Sequence, residues 1–156
     1  MGSGPYIGIS WRGGAQSTRR QLRSIPLPQW KSILNQPAKF ISLQYGECKE
    51  DLAWAEETGF RIHHWPQAIE DYDETAALVA ALDMVISVCT AVVHLGGALG
   101  KPVWVLTPAV PEWRYLSQGE QLPWYPSIRM FRQRPETDWS EVIATVAQTL
   151  NSGFPN

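Results

Sequence analysis

The chain has 156 residues, a length suited to one domain, and at 44% hydrophobic it can bury a sizeable core. Its formal charge of −2 gives no electrostatic reason to expect nucleic acid or an anionic membrane surface as the main partner. No apolar run reaches the roughly 18 residues of a membrane span, and the two cysteines, Cys48 and Cys89, form no disulfide framework and suit a reducing, cytoplasmic setting.

Met1-Gly2-Ser3-Gly4 reads as an expression remnant, leaving residues 5–156 as a single domain. Tyr6 to Trp11 predicts the first strand. A loop from Arg12 to Ile25 follows, carrying Gly13-Gly14 and then Arg19, Arg20 and Arg23. Pro26 to Asn35 predicts a helix, since proline is tolerated in a first turn. Lys39 to Tyr45 is the second strand, and Lys49 to Thr58 a helix stopped by Gly59. Arg61 to Trp65 is the third strand. Asp73 to Leu82 is a helix with Asp73 as its cap. Met84 to Val88 has the β-branched composition of a strand buried on both faces. Val92 to Leu99 is an apolar helix, stopped by Gly100-Lys101-Pro102, and Val103 to Leu106 is the fifth strand. Thr107 to Ser127 is a long proline-rich connection. Ile128 to Gln133 is the sixth strand. An amphipathic helix over Asp138 to Leu150 turns Trp139, Val142, Ile143, Val146 and Leu150 inward.

Strands alternating with helices predict an α/β fold, a doubly wound, Rossmann-like parallel sheet of six strands in the order 3-2-1-4-5-6. Ligands bind such sheets at the carboxyl ends of the strands, where the order reverses, here between the first and fourth strands. Two loops meet there: Ser10-Trp11-Arg12-Gly13-Gly14 and Cys89-Thr90-Ala91. The second opens a helix, whose free N–H groups and positive dipole end suit a phosphate. Thr90 can cap that helix or donate its hydroxyl to a ligand. His94 lies one turn on, on the same face. No G-x-G-x-x-G follows the first strand, which disfavours an ordinary dinucleotide site. His63 and His64 lack spaced partners for a metal.

Four stretches, GISWRGG with the following TRR, FISLQYG, DETAALVAALDMVIS and SVCTAVVHLGGALGKPVWVL, give the chain a resemblance to a known family. It resembles the C-terminal, donor-binding half of a GT-B glycosyltransferase, and above all family 9, the heptosyltransferase-like enzymes, in the form fused behind tetratricopeptide repeats. The resemblance covers nearly the whole chain.

The resemblance implies an inverting enzyme that needs no metal and no tightly bound cofactor. A nucleotide-diphosphate sugar is the donor, and the catalytic base and acceptor site belong to an N-terminal domain that this chain lacks. The isolated chain is therefore expected to be inactive. Thr90, Ala91 and His94 match the family motif and are expected to hold the diphosphate. Cys89 departs from it, because the family has an aspartate there, and a thiol is a weak donor and weak acceptor. Arg12 is expected beside the diphosphate, where it and His94 offset charge on the leaving group. Ser10, Gln44 and Tyr45 end the first two strands on the nucleotide side, with Tyr45 either stacking on a ligand or packing. Asp73 begins a helix that lies near base and ribose in the family, as cap or as ribose ligand. Trp113, Tyr115, Trp124 and Tyr125 line either a sugar pocket or the interface with the other domain. Two other readings remain at this point: a binding module that kept the fold and lost turnover, and a sugar-nucleotide epimerase, which would need acid and base carboxylates at the switch point.

Overall fold

The computed structural model describes residues 4–14 and 16–155. Of the expected remnant Met1 to Gly4, the first three residues lie outside the described residues. The strands are β1 (Tyr6–Ser10), β2 (Lys39–Ser42), β3 (Ile62–His63), β4 (Met84–Val88), β5 (Val103–Thr107), β6 (Gln121–Leu122) and β7 (Tyr125–Arg132). The helices are α1 (Lys31–Leu34), α2 (Lys49–Glu57), α3 (Pro66–Glu70), α4 (Tyr72–Ala81), α5 (Ala91–Ala98) and α6 (Ser140–Ser152). The sheet order is β3-β2-β1-β4-β5-β7-β6. All neighbours pair in parallel except β6 and β7, which are antiparallel.

The expected order is therefore present, with β7 as its sixth strand, but the sheet has seven strands rather than six. The extra one is β6, two residues that pair Gln121 with Arg129 and Leu122 with Tyr125 at the sheet edge. Two residues carry no readable periodicity. β7 accordingly starts at Tyr125, three residues before the expected Ile128, and the long connection is shortened from its far end. The expected helix over Pro26 to Asn35 is a 3-10 turn at Leu27–Trp30 running into the single-turn α1. The third strand shrinks to Ile62–His63, and α3 occupies a stretch left without an element.

Alternation in the strands builds two cores, one per sheet face. Ile7 and Ile9 of β1, Met84, Ile86 and Val88 of β4, and Trp104 and Leu106 of β5 face one side. There they meet Ile33 of α1, Ala55 of α2 and Val142, Ile143, Val146 and Leu150 of α6. Ile41 of β2, Val85 of β4, and Val103 and Val105 of β5 face the other side, against Ile69 of α3, Val79 of α4 and Val93 of α5. Burying both faces of the central strands explains their unbroken apolar sequence.

Helix α5 sits unusually close to the sheet. A Cβ on Gly96 would come within 2.6 Å of Val103 Cγ2, and one on Gly97 within 2.5 Å of Tyr125 Cγ. Those two glycines fix how deep α5 lies, and so where its first turn stands. At α4, Asp71 rather than Asp73 is the cap: its Oδ1 accepts from the N–H groups of Asp73 (2.9 Å) and Glu74 (3.0 Å). The last helix begins at Ser140 rather than at the expected Asp138, whose Oδ1 accepts from Ser140 N–H at 3.0 Å.

Candidate functional site

β1 and β4 are adjacent, with Ile9 beside Ile86 and Ser10 beside Ser87. Their carboxyl ends therefore open into one crevice. A cleft of about 410 Å³ lies there, walled by the loops after β1 and β2, by α3 and the start of α4, and by the first turn of α5. Its lining includes Arg12, Arg23, Thr90 and Ala91, together with Leu43, Ile69 and Val92. Ser10, Gly14, Gln44, Tyr45, Glu70, Tyr72 and Thr75 complete the walls.

The loop after β1 is held by Gln44, which is buried. Its Oε1 accepts from Trp11 N–H (3.0 Å), Arg12 N–H (2.9 Å) and Ser10 Oγ (3.4 Å), and its Nε2 donates to Tyr45 O at 3.0 Å. Gln44 and Ser10 thus spend their polar atoms on each other's loops. Arg12 leans on Asp51 of α2, with Nη2 3.1 Å from Oδ2, and also donates to Glu47 O. Its Nε is buried and has no partner among the described residues. Tyr45 stands at the rim, 75% exposed.

Of Arg19, Arg20 and Arg23 in the loop after β1, Arg23 is the one that lines the cleft. Its Nη1 donates to Cys89 O at 2.5 Å and its Nε to Thr18 O at 3.0 Å. A Cβ on Gly13 would meet Arg23 Cγ at 2.8 Å, so the glycine makes room for this side chain. Arg23 straps the β1 loop to the turn between β4 and α5.

Thr90 occupies the N-cap position of α5 in an extended conformation, yet its hydroxyl makes no capping bond. It lies 3.1 Å from Ser87 Oγ instead. The first bond of α5 runs from Val93 N–H to Thr90 O at 3.1 Å, so the N–H groups of Ala91 and Val92 precede the helix's own bonding, and Thr90, Ala91 and Val92 all line the cleft.

His94 and Cys89 lie behind this turn and are not among the cleft-lining residues. His94 Nε2 is 3.3 Å from Tyr115 OH, and its ring packs against Tyr115 and Tyr125. Burial holds the imidazole below its usual pKa. Cys89 is buried, and desolvation pushes its thiol up to about 12, with Tyr115 and Thr107 nearby. Tyr115 itself is buried and its phenol is pushed up by the same cause. Arg132 fastens this side by donating to the carbonyls of Gly119 (2.7 Å), Leu116 (3.1 Å) and Tyr115 (2.5 Å). Those bonds hold Leu116 at φ 57°, a conformation that costs a non-glycine residue free energy. Trp113 and Trp124 point outward, 77% and 52% exposed. Asp73 is exposed at the start of α4 and does not line the cleft.

Cys48 and Cys89 are both free and buried, Cys48 with its sulfur 3.8 Å from His64 Nε2. Among the described residues no group of three potential ligands could hold a metal ion, and no helix is long and apolar enough to cross a membrane. Several lining residues gave no sequence signal: Leu43, Ile69, Glu70 and Val92 are ordinary core-type or surface residues until α3 folds against β2.

No protein-family model matches the chain. Protein FlbA of Caulobacter vibrioides is 37% identical over 155 residues, which is 96% of this chain and 26% of that protein. The chain thus spans about a quarter of the curated relative it matches. Among solved structures, E. coli heptosyltransferase WaaC with ADP is similar over 96% of this chain and 44% of that one, with a TM-score of 0.69 and 19% identity. E. coli ADP-heptose lps heptosyltransferase II covers 95% and 46%, with a TM-score of 0.59 and 19% identity. The glycosyl transferase family 9 protein of Veillonella parvula covers 100% and 41%, at 0.55 and 12%. The chain has the fold of a part of these glycosyltransferases. The shared portion is somewhat less than half of each.

Proposed function

We propose that this chain is the donor-binding half of an inverting, metal-independent GT-B glycosyltransferase, and that its cleft takes the nucleotide diphosphate of a nucleotide sugar. One observation carries the reading: the open first turn of α5 and two guanidinium groups, Arg12 and Arg23, meet at the same cleft, which also offers an apolar lining. A helix N-terminus presents N–H groups and a partial positive charge to a phosphate. The guanidinium groups add charge that offsets what develops on a departing diphosphate. The unpartnered Nε of Arg12 is a donor still to be used. His94 and Cys89 enter as positioning residues behind the turn. The base, the acceptor site and any tetratricopeptide repeats belong, in this proposal, to the remainder of a longer protein.

The test is titration calorimetry of nucleoside diphosphates into the 156-residue chain. Dissociation constants on the order of 0.1–1 mM are expected, because a cleft open on one side makes few contacts. An Arg12→Ala/Thr90→Val double variant should bind markedly more weakly. Equal binding by wild type and double variant would show that the turn is a helix start and nothing more.

Cys89 favours a second reading. A buried, protonated thiol stands where the resemblance implies a carboxylate, which fits a binding module that retains the fold without turnover. Sugar-nucleotide turnover by the full-length protein separates the two readings. An epimerase would need a pair of acid and base carboxylates, and Glu70 is the one carboxylate residue lining the cleft among the described residues.

A further inference from the structure

The donor reading leaves the nucleobase unassigned, and the cleft carries chemistry that bears on it. Besides the arginines the lining includes the apolar side chains of Leu43, Ile69 and Val92 and the rings of Tyr45 and Tyr72. Both rings are largely exposed, 75% and 63%, and so are free to stack on a flat aromatic ligand. The polar side chains of this region are mostly committed. Gln44 bonds the loops after β1 and β2. Thr75 Oγ1 donates to Ala68 O at 2.6 Å and lies 2.9 Å from Asp71 O. Glu70, the last residue of α3, is different. It lines the cleft and is exposed, and no hydrogen bond or ion pair among the described residues engages its carboxylate.

Resting on the reading of the cleft as a donor site, we propose that Glu70 selects a nucleotide whose base carries an amino group and discriminates against uracil and thymine. A carboxylate is an acceptor only. Guanine offers it two adjacent donors, N1–H and the 2-amino group, in the parallel arrangement that two carboxylate oxygens accept together. Adenine and cytosine each offer an exocyclic amino group. Uracil and thymine present a single N–H flanked by two carbonyl oxygens, so an approaching carboxylate meets a repelling oxygen on either side. The apolar shelf supplies affinity for any base, whereas the lone carboxylate supplies the difference between bases, which is what specificity requires.

Titration calorimetry of GDP, ADP, CDP and UDP against wild type, Glu70→Gln and Arg12→Ala decides the matter. Wild type should bind GDP, ADP and CDP more tightly than UDP, on the order of 10-fold for a bond to a charged group. In Glu70→Gln the advantage should collapse to within about 3-fold, because an amide both donates and accepts and can pair with an imide carbonyl. Glu70 is exposed, so the variant should melt with wild type. Arg12→Ala should weaken all four nucleotides together and leave their order unchanged. UDP binding as tightly as the amino-bearing nucleotides, or a preference untouched by Glu70→Gln, overturns the assignment while leaving the donor site standing. Failure of all four nucleotides to bind wild type overturns both.

Discussion

The turn between β4 and α5 has two sides, and they are built in opposite ways. On the cleft side, Thr90, Ala91 and Val92 face an open volume, and the Nε of Arg12 has no partner among the described residues. On the far side, Cys89 is buried and His94 half-buried against Tyr115, and the loop carrying Tyr115 is fastened by Arg132. The contrast shows how a site stays both open and accurate. A turn that must present bare N–H groups cannot brace itself with the same groups, so the bracing comes from behind.

Tyr115 is the residue on which the far side of the turn depends most. Tyr115→Ala removes a fully buried ring and should cost about 3–5 kcal/mol in chemical denaturation, the range for deleting large aromatics from a core. Tyr115→Phe keeps the ring and loses the hydroxyl, for about 1 kcal/mol. Both variants should weaken nucleotide binding only through the turn, so a Tyr115→Phe protein that binds as wild type while melting lower would confine Tyr115 to stability.

Arg23→Ala sharpens the open side. It removes the strap to Cys89 O and a cation from the cleft, so nucleoside diphosphate affinity should fall by roughly 10-fold at low salt and by less at high salt, where screening already weakens the charge. Calorimetry at two ionic strengths measures it; a loss independent of salt would assign Arg23 to loop packing alone.

The sealed side should also announce itself in pH. Burial lowers the imidazole of His94, and of His64 across the sheet, below the ordinary value near 6.5. The unfolded chain therefore takes up those protons first, and stability should fall as pH drops below about 6.5. His94→Asn should have a shallower fall in melting temperature between pH 7.5 and 5.5. Cys89 works in the other direction. Its raised thiol keeps a proton that the unfolded chain releases, so stability should decline as pH rises above about 8.5. The smallest effect is chemical: neither thiol should react with a disulfide reagent in the folded protein at pH 8, and both should react once unfolded.

Much of this fold could be read from the sequence because hydrophobic runs and their spacing announce the central strands. The adjacency of β1 and β4, and hence the place of the cleft, followed from alternation together with the common doubly wound strand order. What stayed hidden depends on distant partners. Thr90 looks like a capping residue, but Ser87 is three positions away and takes its hydroxyl. His94 has the spacing to reach a ligand at Thr90, yet Tyr115, 21 residues on, claims its ring. Arg23 is indistinguishable from Arg19 and Arg20 by type, and only the room above Gly13 sets it apart. β6 and α3 are too short for their periodicity to be counted.

Gly96 and Gly97 sit at the opposite end of α5 from the turn, and they make the helix a lever. An eight-residue helix is about 12 Å long. A methyl group added at Gly97 must push Tyr125 aside or lift that end of the helix off the sheet. Lifting one end tilts the other, and the N–H groups at Ala91 and Val92 would swing with it. A change of one carbon, remote from any ligand and invisible in a map of the cleft, can thereby detune the aim of the turn. The tolerance of the site is set at the heel of the helix, not at its toe.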